Sequence, residues 1–299
     1  MSRNVVVTGA TGHVGREVAK NLLAQGVRVR AVGRSSERLA DLVALGAEEY
    51  VGDLADAAFL SRAFRGVDAA FLMVPPKYDA PNFLAYQAGI VEAYAHAVAE
   101  SALPQAVTLS SVGADRESGN GPIVTLHRLE QRLNAIPGLS VLHLRAAFFL
   151  ENHLHNLGMI RSLGMNGGTV AGDVPVAMVA TRDIAAVAAE RLAAGDFSGS
   201  SHAYVLGARD VGFAAATRVL GASIGKPDLA YVQFPEADAR QAMLGSGMSE
   251  EVADLFLEMN RGLGSGWIGT EEPRSAASTT PTTIEEFAAE VFAPAYSAG

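Results

Sequence analysis

The chain has 299 residues, a formal net charge of −9 and no cysteine. That length supports one large domain or two modest ones, and should bury roughly three quarters of the unfolded chain's surface. The acidic balance without a basic tract argues against nucleic acid or an anionic membrane as partner, and the missing cysteine removes disulfides, thiolate catalysis and cysteine-ligated metal. No charged leader with an apolar core precedes the first strand and no apolar run approaches the roughly 18 residues of a membrane span, so a cytoplasmic protein is expected.

Asn4 to Gly15 reads Asn-Val-Val-Val-Thr-Gly-Ala-Thr-Gly-His-Val-Gly. A β-branched strand, Val5 to Val7, turns through Gly9, Gly12 and Gly15 into a helix whose Val14, Val18, Leu22 and Leu23 share one face. Glycines in such a turn let the chain bend, let the backbone approach a pyrophosphate, and let the helix pack close to its strand. The unpaired amides at the helix start then face the anion together with the helix dipole. Gly9, Thr11, Gly12, His13, Val14 and Gly15 are therefore the expected pyrophosphate cradle of a dinucleotide.

The helix stops near Gly26, and Val27 to Val32 form strand two. Ser36 to Leu45 is a short helix, Glu49 to Gly52 strand three, Ala57 to Phe64 a helix and Ala69 to Val74 strand four. Pro81 to Ala102 is a long helix, Ala106 to Ser110 strand five, Ile123 to Leu133 helix five, and Ser140 to Leu144 strand six. This rhythm predicts an α/β fold, a doubly wound parallel sheet with helices on both faces.

Past Leu150 the rhythm loosens. Asp183 to Leu192 reads as a helix and Ala203 to Leu206 as a strand returning to the main sheet. Ser249 caps a helix running to Met259, with Glu250 and Glu251 in its first turn. Glu271 to Thr282 reads as a surface loop, and Thr283 with Glu286 forms a capping box for a final helix. The expected organisation is a dinucleotide-binding domain over residues 1–150, rejoined by 173–207, with a smaller α+β lobe for substrate or partner from 151–172 and 208–299.

Strand two bears on which dinucleotide is bound. NAD sites carry an acid about twenty residues beyond the glycines, where it accepts from the ribose hydroxyls. Here the chain offers Gly33, Arg34, Ser35 and Ser36. Arg34 is suited to a 2′-phosphate through a charge-assisted fork, with the serines as further donors and Arg30 and Arg38 near enough to help. The alternative is a solvated arginine opening a loop. NADP(H) is the expected cofactor, with NAD(H) the alternative.

The stretches Thr8 to Gly15, Val29 to Arg34, Gly52-Asp53-Leu54, Gly66-Val67-Asp68, Val74-Pro75-Pro76, Leu109-Ser110-Ser111 and Arg145 to Asn152 stand in the order and spacing of the NmrA-like family. The chain resembles these atypical members of the short-chain dehydrogenase/reductase superfamily over its first half, and more weakly through Thr181 to Ala185 and the Thr283 helix. The resemblance implies a Rossmann domain with a smaller C-terminal lobe and a ligand cleft between them. It implies either an NAD(P)H-dependent quinone reductase or an NADP-sensing regulator without evident turnover. It also implies that Asp53 and Leu54 hold the adenine edge, although Asp53 reads equally as a turn residue. Val74 and Pro75 are expected to line the cofactor wall.

The superfamily's usual acid is a tyrosine four residues before a lysine, the lysine lowering the tyrosine's pKa. None of the seven tyrosines has that lysine, and helix five instead reads Thr125-Leu126-His127-Arg128-Leu129-Glu130. Reduction of an unactivated ketone, which builds up a basic alkoxide, is thereby disfavoured. A quinone accepts hydride into a delocalised oxyanion that water can protonate. His127 is the one candidate in helix five to bond an acceptor oxygen, or else a packing residue; it stands three rather than four residues before Glu130. Ser111 reads as a donor to substrate or nicotinamide, or as a cap. Phe148 and Asn152 are expected beside the acceptor. His153 and His155 lack a third ligand to complete a metal site, so no metal is expected. Trp267 either closes over an apolar substrate or anchors the lobe to the core. The expected function is hydride transfer from NADPH to a small quinone-like acceptor; the alternative is a non-catalytic NADP(H) sensor with a regulatory protein partner or a second copy of the chain.

Overall fold

The computed structural model describes residues 3–298. The first half alternates strand and helix: β1 (Asn4–Val7), α1 (His13–Ala24), β2 (Arg28–Gly33), a 3₁₀ turn (Glu37–Leu39) leading into α2 (Ala40–Ala44), β3 (Glu48–Val51), α3 (Ala57–Phe64), β4 (Ala69–Leu72), α4 (Phe83–Ser101), β5 (Gln105–Ser111), α5 (Val124–Asn134) and β6 (Ser140–Ala146). Then come β7 (Phe148–Phe149), α6 (Leu157–Leu163), β8 (Asn166–Gly168), β9 (Pro175–Val179), α7 (Thr181–Ala194), β10 (Ser200–Val205), β11 (Asp210–Gly212), α8 (Phe213–Ser223), β12 (Tyr231–Gln233), α9 (Glu236–Gly245), α10 (Glu250–Ser265), α11 (Ile284–Phe287) and α12 (Ala293–Ser297).

Seven strands form one sheet in the order β10-β6-β5-β4-β1-β2-β3, and every pairing in it is parallel. A parallel sheet must hide both faces, and the strands' alternation does so. Val5 and Val7 of β1 point into one core with Val18 and Leu22 of α1 and Ile184 and Leu192 of α7. Val6 points into the opposite core with Phe64 of α3, Tyr94 of α4 and Leu129 of α5. The order reverses between β1 and β4. That switch point opens a crevice beyond the carboxyl ends of the strands, where such sheets take their ligands.

The second half returns to this sheet once, through β10, which lies beside β6 with Ala203 opposite Leu144. Otherwise it builds two small sheets, β11-β9-β7 and β12-β8, and a third core around Ile160, Leu220, Phe287 and Phe292. Thr283 caps α11 with the reciprocal Glu286 bond, as its spacing predicts, and Ser249 Oγ accepts from the Val252 amide at the start of α10. No helix among the described residues is long and apolar enough to cross a membrane.

Several boundaries differ from the sequence reading. Strand β4 ends at Leu72 rather than Val74, because the Met73 amide turns to the Thr8 hydroxyl at 3.2 Å. Strand β5 runs on to Ser111, which pairs with Ala146; Ser111 is the last strand residue, not one just beyond it. Helix α7 starts at Thr181, two residues early, since the Glu151 carboxylate accepts from the Thr181 amide and hydroxyl. Helices α8 and α9 have no counterpart in the sequence reading, and α9 buries no residue, so it carries no apolar stripe to detect. The loop from Glu271 to Thr282 is strapped rather than free: the Leu206 amide donates to the Ser278 carbonyl, and Thr282 donates through amide and hydroxyl to Asp183.

Candidate functional site

The three glycines of the first turn have three different environments. Gly9 sits at φ +65°, which L-residues rarely adopt, and its carbonyl accepts from the Gly12 amide at 2.9 Å. Gly12 is the extended N-cap of α1, at φ −94° and ψ 172°, and a Cβ there would meet nothing nearer than 3.4 Å. Gly15 faces the strand: a Cβ would come within 2.4 Å of the Gly9 carbonyl oxygen. Turn, open approach and close packing are thus divided among them. The first-turn amides of α1, at His13, Val14 and Gly15, follow Gly12 directly and have no intrahelical acceptors. Thr11, half-buried, packs its methyl toward Gly33. This cradle suits a pyrophosphate.

Beneath it lies an interlock that the sequence does not announce. Thr8 is fully buried and donates its hydroxyl to the Phe71 carbonyl. The Tyr94 hydroxyl, from α4, lies 3.0 Å from Thr8 Oγ1 and 2.8 Å from the Met73 carbonyl. Burial pushes the pKa of this phenol well up, so it stays protonated and ties α4 to the ends of β1 and β4.

At the end of β2, Arg34 is exposed and makes no hydrogen bond or ion pair among the described residues. Arg38 donates to the Thr11 carbonyl at 3.3 Å and so hangs beside the glycine turn. Arg30 does not reach this region as expected: its guanidinium is committed to the Ala63 and Arg65 carbonyls at the end of α3 and to Glu48. Ser36 donates to Glu49 at 2.6 Å, and Ser35 accepts from the Arg38 amide. Asp53 follows β3, exposed, with one carboxylate oxygen bound to the Ala55 amide, while Leu54 is buried beside it. Val74 is buried and Pro75 half-buried where β4 leaves the sheet. Tyr86 of α4 lies close enough to Asp53 and Arg34 to feel both charges; burial raises its pKa, Asp53 adds to the rise and Arg34 opposes it.

The carboxyl ends of β5 and β6 carry the other candidates. Ser111 Oγ donates to the Val112 carbonyl. His127, half-buried on α5, puts Nδ1 2.8 Å from the Ala114 carbonyl. This fixes the proton on Nδ1 and leaves Nε2 as an acceptor in the neutral ring. Asn152 is half-buried and its side chain makes no hydrogen bond among the described residues. Phe148 stacks edge-on against Phe213 at 5.3 Å and against His153 at 5.6 Å. His153 is buried and its pKa falls to about 4 through desolvation, whereas His155 is exposed, so the two rings occupy different surroundings. Trp267 is about half-exposed; its indole donates to the Ser118 carbonyl and the Arg116 guanidinium covers its face at 4.5 Å, which seats it on the β5–α5 loop rather than in the core.

Glu130 is held by a network that sequence reasoning missed. It accepts from Ser110 Oγ at 2.5 Å and from Arg145 Nε and Nη2 at 3.1 and 2.8 Å, with both charged side chains under 10% exposed. Burial would raise the Glu130 pKa, but Arg145, His143 and Ser110 together outweigh it and hold the carboxyl below its usual range. Arg145 also reaches Glu271 Oε2 at 3.0 Å. Glu130 is thereby bound up in joining α5, β5 and β6.

The NmrA-like family profile matches residues 1–288. A (4-alkanoyl-5-oxo-2,5-dihydrofuran-3-yl)methyl phosphate reductase of Streptomyces griseus is 32% identical over 256 residues, 85% of each chain. An NAD(P)H azoreductase of Xenophilus azovorans is 28% identical over 257 residues, again 85% of each chain. Among solved structures, an NADPH-dependent quinone oxidoreductase from Escherichia coli complexed with NADPH has a TM-score of 0.78 at 22% identity, covering 96% of this chain and 99% of that one, a likeness of fold. With the profile spanning residues 1–288 and a reductase 32% identical over 85% of the chain, the chain belongs to the NmrA-like family.

Proposed function

We propose that this protein is an NADPH-dependent oxidoreductase that passes hydride to a small, electron-poor acceptor such as a quinone. The dinucleotide would lie with its pyrophosphate on Gly12 and the α1 amides, its adenosine 2′-phosphate at Arg34, and its adenine edge at Asp53 and Leu54, along Val74 and Pro75. Residues 1–150 with 173–207 would form the cofactor half, and 151–172 with 208–299 the acceptor half. The relatives that reduce azo compounds and quinones are compatible with such an acceptor.

When bound, the nicotinamide supplies a hydride. The chain's own residues then have little proton transfer to do. The observation that carries this reading is on α5, which has no Tyr and Lys pair and offers only His127, its Nδ1 proton engaged by Ala114. Without a strong acid, an acceptor whose product oxyanion is weakly basic is favoured. Phe148 would form an apolar wall and Asn152 a donor at the acceptor's oxygen. Ser111 would hold the carboxamide or the acceptor.

Steady-state loss of NADPH absorbance over a panel of acceptors tests this. Benzoquinones and naphthoquinones should turn over, and aliphatic ketones should not. His127→Ala should slow quinone reduction less than about tenfold, against the 10²- to 10⁴-fold typical of losing a general acid. Brisk reduction of an aliphatic ketone would overturn the proposal. Tight NADPH binding without turnover on any acceptor would favour the sensor.

A further inference from the structure

Beyond Arg34, a cleft of about 530 Å³ runs between the β4–α4 loop and the turn joining α9 to α10. Arg34, Lys77, Tyr78, Asp79, Ser246 and Met248 are among the side chains that line it. Lysine is rare in this acidic chain, which has only Lys20, Lys77 and Lys226. Lys20 pairs with Glu17, but Lys77 is exposed and has no carboxylate partner among the described residues; its ammonium rests 5.6 Å from the centre of the Tyr86 ring. Tyr86 is also the group that feels Arg34 and Asp53. Among the described residues, the cleft therefore joins two cations without ion-pair partners, with Asp79 the one acid among its lining side chains, directly beyond the strand end where the adenosine ribose is expected.

The loop carrying Lys77 is held in place from a distant part of the chain. The Ser249 amide donates to the Tyr78 carbonyl at 3.0 Å, and Glu251 of α10 accepts from the Phe83 amide. The Tyr78 ring packs edge-on against Phe256 at 5.6 Å, and Val252 buries itself against Ala80 and Phe83. Two like charges facing one cleft repel each other, and a dianion between them removes that cost.

Resting on the NADP(H) reading above, we infer that Lys77 is a second cation for the 2′-phosphate, facing Arg34 across this cleft and positioned by the α10 N-terminus. A phosphate monoester brings nearly two negative charges at neutral pH and three acceptor oxygens. Arg34 meets it with a planar fork, and Lys77 with a mobile point charge that leaves the face of Tyr86. A cofactor lacking the 2′-phosphate makes neither contact, so Lys77 acts on selectivity and not on dinucleotide binding in general.

Calorimetric titration of the full chain with NADPH, NADH, adenosine 2′,5′-bisphosphate and AMP tests the assignment in wild type, Lys77→Gln and Lys77→Arg. The glutamine variant should bind NADPH and the bisphosphate about tenfold more weakly, with NADH and AMP unmoved, and the wild-type preference should shrink with added salt. The arginine variant should keep most of the preference. Lys77→Gln with its full NADPH advantage would overturn the role of Lys77 while leaving that of Arg34 in place. A parallel loss for NADH and NADPH with an unchanged melting temperature would make Lys77 part of the adenosine wall and also overturn it. Equal affinities in wild type would overturn the NADP(H) reading and this inference together.

Discussion

Replacing Gly12 and Gly15 in turn should separate folding from binding. At Gly12, φ −94° and ψ 172° suit any L-residue, and a Cβ would find no atom nearer than 3.4 Å. Gly12→Val should therefore fold, the gain from a stiffer unfolded chain offset by valine's poorer N-cap, and lie within about 1 kcal/mol of wild type. Its side chain, though, fills the space above the α1 amides. Each amide bonded to a charged phosphate is worth about 1.5–3 kcal/mol, so displacing the pyrophosphate from two of them should weaken NADPH binding by about a hundredfold or more. Gly15→Ala is the converse. Its Cβ would lie 2.4 Å from the Gly9 carbonyl oxygen and 2.7 Å from the carbonyl carbon, backbone atoms that cannot swing aside. Overpacking there should cost about 1–3 kcal/mol. Urea unfolding followed by circular dichroism gives the stabilities, and calorimetry the NADPH affinities. A stable Gly12→Val variant that binds NADPH within about threefold of wild type would place the phosphate elsewhere.

Arg34→Ala should weaken NADPH binding about tenfold or more and leave NADH unchanged, in line with about 1–3 kcal/mol for a charge-assisted fork; parallel titrations with both nucleotides check this, and an intact preference would refute it. Glu130→Leu leaves Arg145 buried with Glu271 and the Tyr204 hydroxyl as its remaining partners among the described residues, so it should destabilise by about 3 kcal/mol, the low end for breaking a buried pair, while adding Arg145→Leu should recover part of the loss. Because the folded Glu130 pKa is lowered, its contribution is complete above the unfolded carboxylate range and vanishes as pH falls through the folded value. Urea unfolding of the variants at neutral and acidic pH measures both effects, and a Glu130→Leu cost below about 1 kcal/mol at neutral pH would show the pair to be idle.

What could be read from the sequence was whatever local backbone geometry dictates. The β1 turn, the Ser249 cap and the Thr283 box are written in a few adjacent residues whose types have few alternatives. Arg34 stands out in the sequence because it replaces an acid at a fixed distance from the glycines, and the structure places it exposed at the end of β2. Arg30 was misread because its partners, the carbonyls at the end of α3, are neighbours only once β2 and α3 pack. The same limit hid the Tyr94–Thr8 interlock, the Glu130–Arg145 pair and the cleft at Lys77, all of which join residues distant in sequence. His127 was legible as a polar group on α5, but its bond to Ala114 depends on how the β5–α5 loop folds back.

The return of β10 to the sheet bears on how the chain can be made. Until Ser200–Val205 leaves the ribosome, β6 is an open edge, since its outer partner is supplied only by that late segment. The same segment of chain brings α7, whose Ile184, Ala188 and Leu192 complete the core over α1. A nascent chain cut at the end of β6 would thus carry every glycine of the nucleotide turn and still expose the edge and one face of its sheet. Vectorial synthesis therefore imposes a waiting period, with an unpaired parallel strand and an uncovered aliphatic surface, during which protection from aggregation must come from outside the chain.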